Sequence, residues 1–269
     1  MTLSVSNLSF SHSRQPSLDG INATFEAGKL SVILGPNGAG KSRILNCICG
    51  YYQPSIGSIE LGGSSLVGLR PDQIAHLGVA RVFQRIELFR RMTVLENIKL
   101  GSHSRLKSGL FDSGIYYGAA RREEIALRNE LERDVIDFLE LDHIRNLHVA
   151  TLPYGLQKRV ELARALALQP KVLLLDEPFG MLDSLTRGEL QDILIEIWNK
   201  EKITAVMITH DVDEAIFLAD RVVMMTSGPR AKIGDVLDIN FERPRTRKAV
   251  LEHDDYYKYR KHLIDFLEH

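Results

Sequence analysis

Apolar and polar residues follow two different spacings that alternate along the chain. Residues 3–10 alternate polar and apolar side chains, which is typical of a half-buried strand, and shorter strand-like patterns follow at 21–25, 57–61 and 79–84. Continuous apolar runs, typical of strands buried on both faces of a parallel sheet, lie at 30–34, 171–175, 205–209 and 221–225. Helical spacing of apolar residues separates these runs, at 41–49, 156–167 and 190–199. This order predicts an α/β fold.

The stretch from about 86 to 169 has a different character, with long charged segments of helical periodicity. Between 121 and 142, Leu127, Leu131, Val135 and Phe138 recur every three or four positions, as on the buried face of an amphipathic helix. We therefore expect one sheet domain over residues 1–235, with a helical subdomain inserted at about 86–169. Residues 236–269 are expected to form a tail, in which a polar linker that starts near Asp235 precedes a short terminal helix.

Composition narrows the class of protein. The chain has 269 residues, of which 44% are apolar and 26% charged, so it is neither collagen-like nor disordered. Its 34 basic and 35 acidic residues nearly cancel, which argues against electrostatic capture of nucleic acid. No stretch approaches the roughly 20 apolar residues of a membrane helix, and the start lacks the pattern of a secretory signal. Cys47 and Cys49 lie in an apolar run and are predicted to be reduced core residues of a cytoplasmic protein.

A glycine-rich segment between a predicted strand and a predicted helix carries the first chemical signal. Residues 35–42 read GPNGAGKS, which fits the pattern of a phosphate-binding loop. Glycines allow successive backbone N–H groups to surround a polyphosphate, and the following helix directs its positive end at the same anion. Lys41 is expected to reach the β- and γ-phosphates, and the Ser42 hydroxyl to bind Mg²⁺.

A pair of acidic residues completes this candidate site. Asp176 and Glu177 end the apolar run that begins at Val172. The carboxyl end of a parallel strand lies beside the phosphate loop, so Asp176 is expected to hold Mg²⁺ through water. Glu177 is placed to polarise a water for attack on the γ-phosphate.

With these motifs in hand, the chain resembles the ATP-binding subunit of an ATP-binding cassette (ABC) transporter over essentially its whole length. Gln84 follows the strand at 79–83, where the family has its Q-loop glutamine. Residues 152–159, LPYGLQKR, stand in place of the Leu-Ser-Gly-Gly-Gln signature. Residues 180–183, GMLD, resemble the D-loop, and His210 resembles the switch histidine.

The resemblance implies a P-loop NTPase sheet domain with an inserted helical subdomain that binds ATP and Mg²⁺ and hydrolyses ATP. It implies that Gln84 contacts Mg²⁺ and the attacking water, that Glu177 is the catalytic base, and that His210 bridges the γ-phosphate and the water. An aromatic residue stacks on adenine in the family, a role for which His12 and Phe10 are the candidates. The remaining expected nucleotide contacts are Gly35, Pro36, Asn37, Gly38, Ala39, Gly40, Lys41, Ser42, Arg43, Pro153, Tyr154, Gly155, Gln157 and Asp183.

Three positions depart from the family pattern. Pro153 replaces the signature serine, which in the family donates to the γ-phosphate held by the opposite subunit, and Tyr154 replaces the first signature glycine. Arg43 stands where the family usually has a small hydroxyl residue. One hydroxyl is therefore missing from the signature segment, and a weaker closure of the two subunits follows as a hypothesis.

Family resemblance also implies the partners of this chain. Two cassettes, identical or different, form a head-to-tail dimer with ATP between the phosphate loop of one and the signature segment of the other. Separate transmembrane permease subunits carry the solute, an extracytoplasmic solute-binding protein acts indirectly, and the cassette lies on the cytoplasmic face of the inner (plasma) membrane.

Different segments of the chain resemble two importer subfamilies that carry different classes of solute. Up to about Pro178, the segments at 81–89, 92–97 and 152–155 resemble the branched-chain amino acid and urea importers. After it, 179–183, 209–221, 224–229 and the tail at 256–260 resemble the nitrate, sulfonate and taurine importers, which are slightly favoured.

Two other classes of protein compete with an importer subunit. A soluble ABC ATPase that acts on nucleic acid usually has two cassettes or a long coiled-coil insertion, and neither is expected in this sequence. A GTPase would require a guanine-reading segment, for which 199–202 lacks the acidic residue.

Overall fold

The computed structural model describes residues 1–12, 15–102 and 132–268, whose strands form two sheets. In chain order the strands are β1 (Leu3–His12), β2 (Gln15–Phe25), β3 (Leu30–Leu34), β4 (Ile56–Leu61), β5 (Ser64–Ser65), β6 (Val79–Val82), β7 (Val172–Asp176), β8 (Thr204–Thr209), β9 (Arg221–Met225) and β10 (Ile233–Asp238). The α-helices of the same residues are α1 (Lys41–Ile48), α2 (Pro71–His76), α3 (Val94–Ser102), α4 (Tyr154–Leu166), α5 (Ser184–Glu201), α6 (Val212–Leu218), α7 (Arg247–Leu251) and α8 (Tyr256–Glu268).

The larger sheet has six strands in the order β10-β9-β3-β8-β7-β6, and all its pairs except β10 with β9 are parallel. Leu34 at the end of β3 pairs with Thr209 of β8 and Met224 of β9, while Leu175 of β7 pairs with Val82 of β6. The strands therefore end together, and the segments that follow β3, β6, β7 and β8 meet at one sheet edge. This is the edge at which open α/β sheets bind ligands.

The smaller sheet is antiparallel, in the order β2-β1-β4-β5. Its buried residues share a core with one face of the larger sheet, and α1 contributes Ile44, Leu45 and Ile48 to that core. Helix α1, which follows the glycine loop, therefore packs against both sheets.

The described residues between 86 and 169 pack on the other face of the larger sheet. A Cβ at Gly101 of α3 would collide with the carbonyl oxygen of Arg164 in α4, so these two helices approach backbone to backbone. Residues 121–131 of the predicted amphipathic helix lie outside the described residues. Its described remainder begins with a π-helical turn, Glu132–Asp137, and places Val135 in the core with Phe138 packed against it.

The C-terminal region differs from the expected polar linker, because residues 233–238 form β10 and pair with β9. The predicted boundary at 235 therefore falls inside a strand. Along β10, half-buried residues alternate with the exposed Gly234, Val236 and Asp238. Helices α7 and α8 then fold back onto the cassette, with Leu263 fully buried.

Two further predictions concern the cysteines and membrane-spanning helices. Cys47 and Cys49 are both buried and unpaired, as predicted. Across the described ranges, none of the helices is both long and apolar enough to cross a membrane.

Candidate functional site

The glycine loop turns sharply between β3 and α1. All five residues of β3 are buried, and the chain then reaches Gly38 and Gly40, both with φ near 84°, a left-handed conformation that favours glycine. A Cβ at Gly40 would lie 2.8 Å from Cδ2 of Leu18, so the loop also passes too close to β2 for a larger residue. Helix α1 begins directly after this turn, which directs its free backbone N–H groups toward the loop.

Lys41, the first residue of α1, is nearly buried and folded back onto the loop. Its ammonium donates to the carbonyl oxygens of Gly35 at 2.6 Å and Pro36 at 3.0 Å. Burial lowers the pKa of Lys41, while the nearby carboxylates of Glu177 and Asp176 act in the opposite direction. The lysine is therefore a positive charge poised at the loop, with hydrogen bonds that it can exchange for those of a phosphate.

Asp176, at the end of β7, is held from two sides. Its Oδ1 accepts a hydrogen bond from the Ser42 hydroxyl at 2.9 Å, and its Oδ2 is 2.7 Å from Nη2 of Arg81. The Arg81–Asp176 ion pair is buried, and Nη1 of Arg81 also donates to Asn46 of α1. Arg81 and Asn46 were not predicted from the sequence. The available signal was an arginine inside the otherwise apolar strand β6.

The predicted catalytic residues converge at Glu177. Its Oε2 accepts a hydrogen bond from Nε2 of Gln84 at 3.0 Å and lies 3.6 Å from Nδ1 of His210. Glu177 itself has φ of 45°, an uncommon conformation for a residue with a side chain, and its N–H donates to the carbonyl oxygen of Ile208. Three segments distant in sequence thus place an amide, a carboxylate and an imidazole at one point.

The oxygen ligands around Ser42 suit Mg²⁺. A hydroxyl and a carboxylate oxygen that already lie 2.9 Å apart are hard donors, and Mg²⁺ usually takes one or two protein oxygens and completes its shell with water and phosphate. Within the part of the chain that is described, no cluster of three or more His, Cys, Asp or Glu side chains could hold a metal on its own.

The signature segment begins α4, with Pro153 at its N-cap position. A Cβ at Gly155 would lie 2.5 Å from Cγ2 of Thr186, so this glycine allows α4 to pack against α5. The Gln157 amide donates to the carbonyl oxygen of Leu152. The close packing of α4 on α5 therefore accounts for the glycine at position 155.

The D-loop residue Asp183 caps α5, accepting hydrogen bonds from the N–H groups of Leu185 and Thr186. These backbone bonds to Thr186 are the main reason why the pKa of Asp183 is lowered. Beside it, a cavity of about 300 Å³ separates the D-loop from the start of α4, and Met181 and Leu185 are 84% and 73% exposed. The D-loop therefore presents two large apolar side chains to the surroundings.

The adenine-stacking candidates differ from the expectation. Phe10 is 7% exposed, and its ring is stacked on Tyr52 with centroids 5.0 Å apart, so it is a core residue whose packing argues against a contact with adenine. His12 ends β1 at the turn of the β1–β2 hairpin, and its side chain lies outside the described residues. Arg43 is half-buried in the first turn of α1, beside the loop.

Comparison with known proteins gives one family. The ABC transporter family matches residues 18–180. The Bicarbonate transport ATP-binding protein CmpD of Synechococcus elongatus is 39% identical over 253 residues, covering 93% of this chain and 83% of that protein. The Nitrate import ATP-binding protein NrtD of the same organism is 38% identical over 254 residues, covering 93% of this chain and 84% of that protein.

A solved structure agrees with these sequence comparisons. The ADP conformation of MJ1267, an ATP-binding cassette of an ABC transporter, matches with a TM-score of 0.74 at 26% identity. The match covers 96% of this chain and 98% of that one. The expected α/β fold with an inserted helical region is therefore confirmed.

Proposed function

Because this chain belongs to the ABC transporter family, as an importer ATPase that binds nucleotide and hydrolyses ATP, we propose that it uses the site at Glu177 to energise uptake of a small inorganic oxyanion. The convergence of Gln84, Glu177 and His210 beside the Ser42–Asp176 pair supports hydrolysis at this site. Water activation and metal binding require these groups at one sheet edge.

The phosphates of ATP are held by the loop. Backbone N–H groups of residues 35–42 surround them, and Lys41 transfers its hydrogen bonds from the carbonyl oxygens of Gly35 and Pro36 to phosphate oxygens. Ser42 and Asp176 would hold Mg²⁺, which would supply positive charge to offset that of the phosphates. Arg81 keeps the Asp176 carboxylate in place.

Glu177 orients and polarises the attacking water. Gln84 and His210 both lie against Oε2 of Glu177, where they fix the carboxylate and present further polar groups to the water and the γ-phosphate. Water activation therefore depends on residues that follow β6, β7 and β8.

A second cassette completes the site. Pro153 precedes α4, and the backbone N–H groups of Tyr154 and Gly155 at the start of that helix face the nucleotide of the partner. The exposed Met181 and Leu185 support a contact with a second cassette, since large apolar side chains at such exposure are typical of interfaces. Pro153 provides no hydroxyl, which makes closure by ATP weaker than with a serine.

The remaining partners are transmembrane permease subunits, which this cassette joins at the cytoplasmic face of the inner (plasma) membrane, and an extracytoplasmic solute-binding protein that acts through them. Similarity to proteins named for bicarbonate transport and nitrate import supports a small oxyanion as the solute. The branched-chain amino acid alternative is not favoured. Transport assays of the assembled complex with labelled nitrate, bicarbonate and leucine test this, and uptake of leucine alone would refute the oxyanion assignment.

Glu177→Gln tests the catalytic assignment. The amide keeps the size of the side chain but cannot accept a proton, so steady-state hydrolysis is expected to fall by about 10²-fold or more while ATP binding persists. The uncleaved ATP is also expected to shift the protein toward dimers. Phosphate release, nucleotide binding and sedimentation measure the three effects, and turnover close to that of the wild type would overturn the role of Glu177.

A further inference from the structure

A fully buried ion pair in α4 contacts the Q-loop, defined here as residues 83–87. The side chains of Lys158 and Glu161 are both 0% exposed, and Nζ of Lys158 lies 3.0 Å from Oε2 of Glu161. Burying a charged pair is costly unless its remaining hydrogen-bonding groups are satisfied. The partners of these two side chains therefore show what the pair is built around.

Every donor of Lys158 is used. The ammonium has three N–H groups, and besides Glu161 it donates to the carbonyl oxygens of Phe83 at 2.6 Å and Gln84 at 3.0 Å. One of these carbonyls belongs to Gln84, the residue whose amide reaches Glu177. Lys158 thus fixes the backbone from which the Gln84 side chain extends.

The other end of the Q-loop is held by the same helix. The second oxygen of Glu161, Oε1, accepts a hydrogen bond from the N–H of Glu87 at 3.1 Å. Arg164 donates from Nη1 to the carbonyl oxygen of Glu87 at 2.6 Å. The three side chains are spaced at intervals of three residues, so they share one face of α4.

We propose that Lys158, Glu161 and Arg164 are positioning residues that clamp the Q-loop to α4 and thereby hold the Gln84 amide against Glu177. The hydrogen bonds of the clamp reach backbone atoms of the Q-loop, so it sets the position of Gln84 without entering the reaction. Because α4 starts at the signature segment, a displacement of that segment by a second cassette moves the Q-loop with it. This inference rests on the proposed hydrolysis at Glu177.

The test separates positioning from stability with a double variant. Lys158→Met alone leaves Glu161 buried without a counter-charge, and we expect it to be destabilised. Lys158→Met combined with Glu161→Leu replaces both charges with apolar side chains and is expected to recover thermal stability. In the double variant, kcat is expected to fall about tenfold or more while the affinity for ATP changes less than about twofold.

Hydrogen exchange supplies a readout that does not depend on catalysis. The N–H of Glu87 loses its acceptor in the double variant, so a peptide spanning 83–89 is expected to exchange faster than in the wild type. Leu3→Ala is the matched control, because Leu3 is fully buried at the opposite end of the molecule, where Met1 contacts the start of β8. It is expected to lower stability but to leave kcat and exchange at 83–89 unchanged.

Each outcome decides one question. A double variant with wild-type kcat, or with wild-type exchange at 83–89, overturns the clamp. A control that loses kcat in the same way also overturns it, since general destabilisation would then explain the effect. A wild-type chain that binds ATP but does not hydrolyse it refutes the proposed function, whereas the exchange measurement still reports on the contact between α4 and the Q-loop.

Discussion

Single residues with unusual environments concentrate around Asp176 and Glu177. Glu177 has a left-handed backbone conformation, Arg81 is an arginine inside an apolar strand, and Lys158 is a fully buried lysine. Each of these costs stability in isolation, because strained backbone and buried charges are unfavourable. Specific partners offset each of these costs in stability. Substitution at such a pair therefore tests how much the partner contributes.

Arg81→Met is expected to destabilise the fold strongly. The carboxylate of Asp176 would remain buried without its cation, and breaking such a pair typically costs about 3–5 kcal/mol. Urea unfolding measures the change. Arg70→Met is the matched control, since Arg70 and Asp72 form an ion pair of similar geometry that is exposed to solvent and should contribute little. Equal effects of the two substitutions would contradict the role of burial.

Glu214, buried near the start of α6, makes stability depend on pH. Burial raises the pKa of this carboxyl above its ordinary value of 4.5, and Asp211 adds to the effect, against hydrogen bonds from Thr209 and Gln191. The unfolded chain then loses its proton at a lower pH than the folded one, so this contribution to stability is present below about pH 4.5 and is lost as the pH rises through the raised value.

Glu214→Gln is expected to remove this dependence, because an amide does not titrate and still offers an oxygen to Gln191. The free energy of unfolding of the variant minus that of the wild type should grow as the pH rises from about 4 to about 7, that is, from the ordinary carboxyl pKa upward. Chemical unfolding at several pH values measures it, with the exposed Glu196→Gln as the control. If this difference became smaller as the pH rises, folding would lower the pKa of Glu214 and not raise it.

At the scale of whole elements, the C-terminal helices are tied to the segment that follows His210. The Tyr256 hydroxyl donates to Asp213 of α6 at 2.8 Å, and Nε of Arg260 donates to the same oxygen at 2.9 Å. The preceding chain is anchored by the buried Arg245, which donates to carbonyl oxygens at the end of α6. Helix α8 is thus part of the folded domain and supports the helix that follows His210.

Leu263→Ala tests how far α8 contributes to the fold. Leu263 is fully buried, and removing a buried leucine side chain typically lowers the free energy of unfolding by about 2–5 kcal/mol. Tyr257→Ala on the same helix removes a side chain that is 70% exposed and should have little effect. Denaturant unfolding of both variants gives the comparison, and a neutral Leu263→Ala would mean that α8 is not docked in solution.

At the scale of the whole molecule, the six-stranded sheet separates two cores and gathers the site at one edge. Alternate residues of β3 and β8 enter different cores, with Val32 and Met207 on one face and Ile33 and Ile208 on the other. The antiparallel sheet and α1 cover one face, and α4 and α5 cover the other. The proposed catalytic groups therefore lie where both layers end.

Much of this arrangement was predictable because it depends on short-range patterns. The buried strand at 30–34 and the loop from Gly35 to Ser42 are visible as an apolar run followed by glycines, and Glu177 follows directly from the strand before it. Strand β10 was missed because its six residues, IGDVLD, include a glycine and two aspartates, and the apolar Val236 lies on its exposed side. Phe10 was a candidate for adenine because of the family resemblance, and its stacking on Tyr52 could not be predicted from sequence spacing.

The sequence by itself determined the fold class, the phosphate loop and the acidic pair, since local propensity and hydrophobic period specify each of these within a few residues. Only the tertiary structure decided that Arg81 holds Asp176, that Lys158 and Glu161 grip the Q-loop, and that α8 supports the helix after His210. The physical reason is that a buried charge is tolerated only beside its partner, and nearly all of these partners come from other elements of the chain.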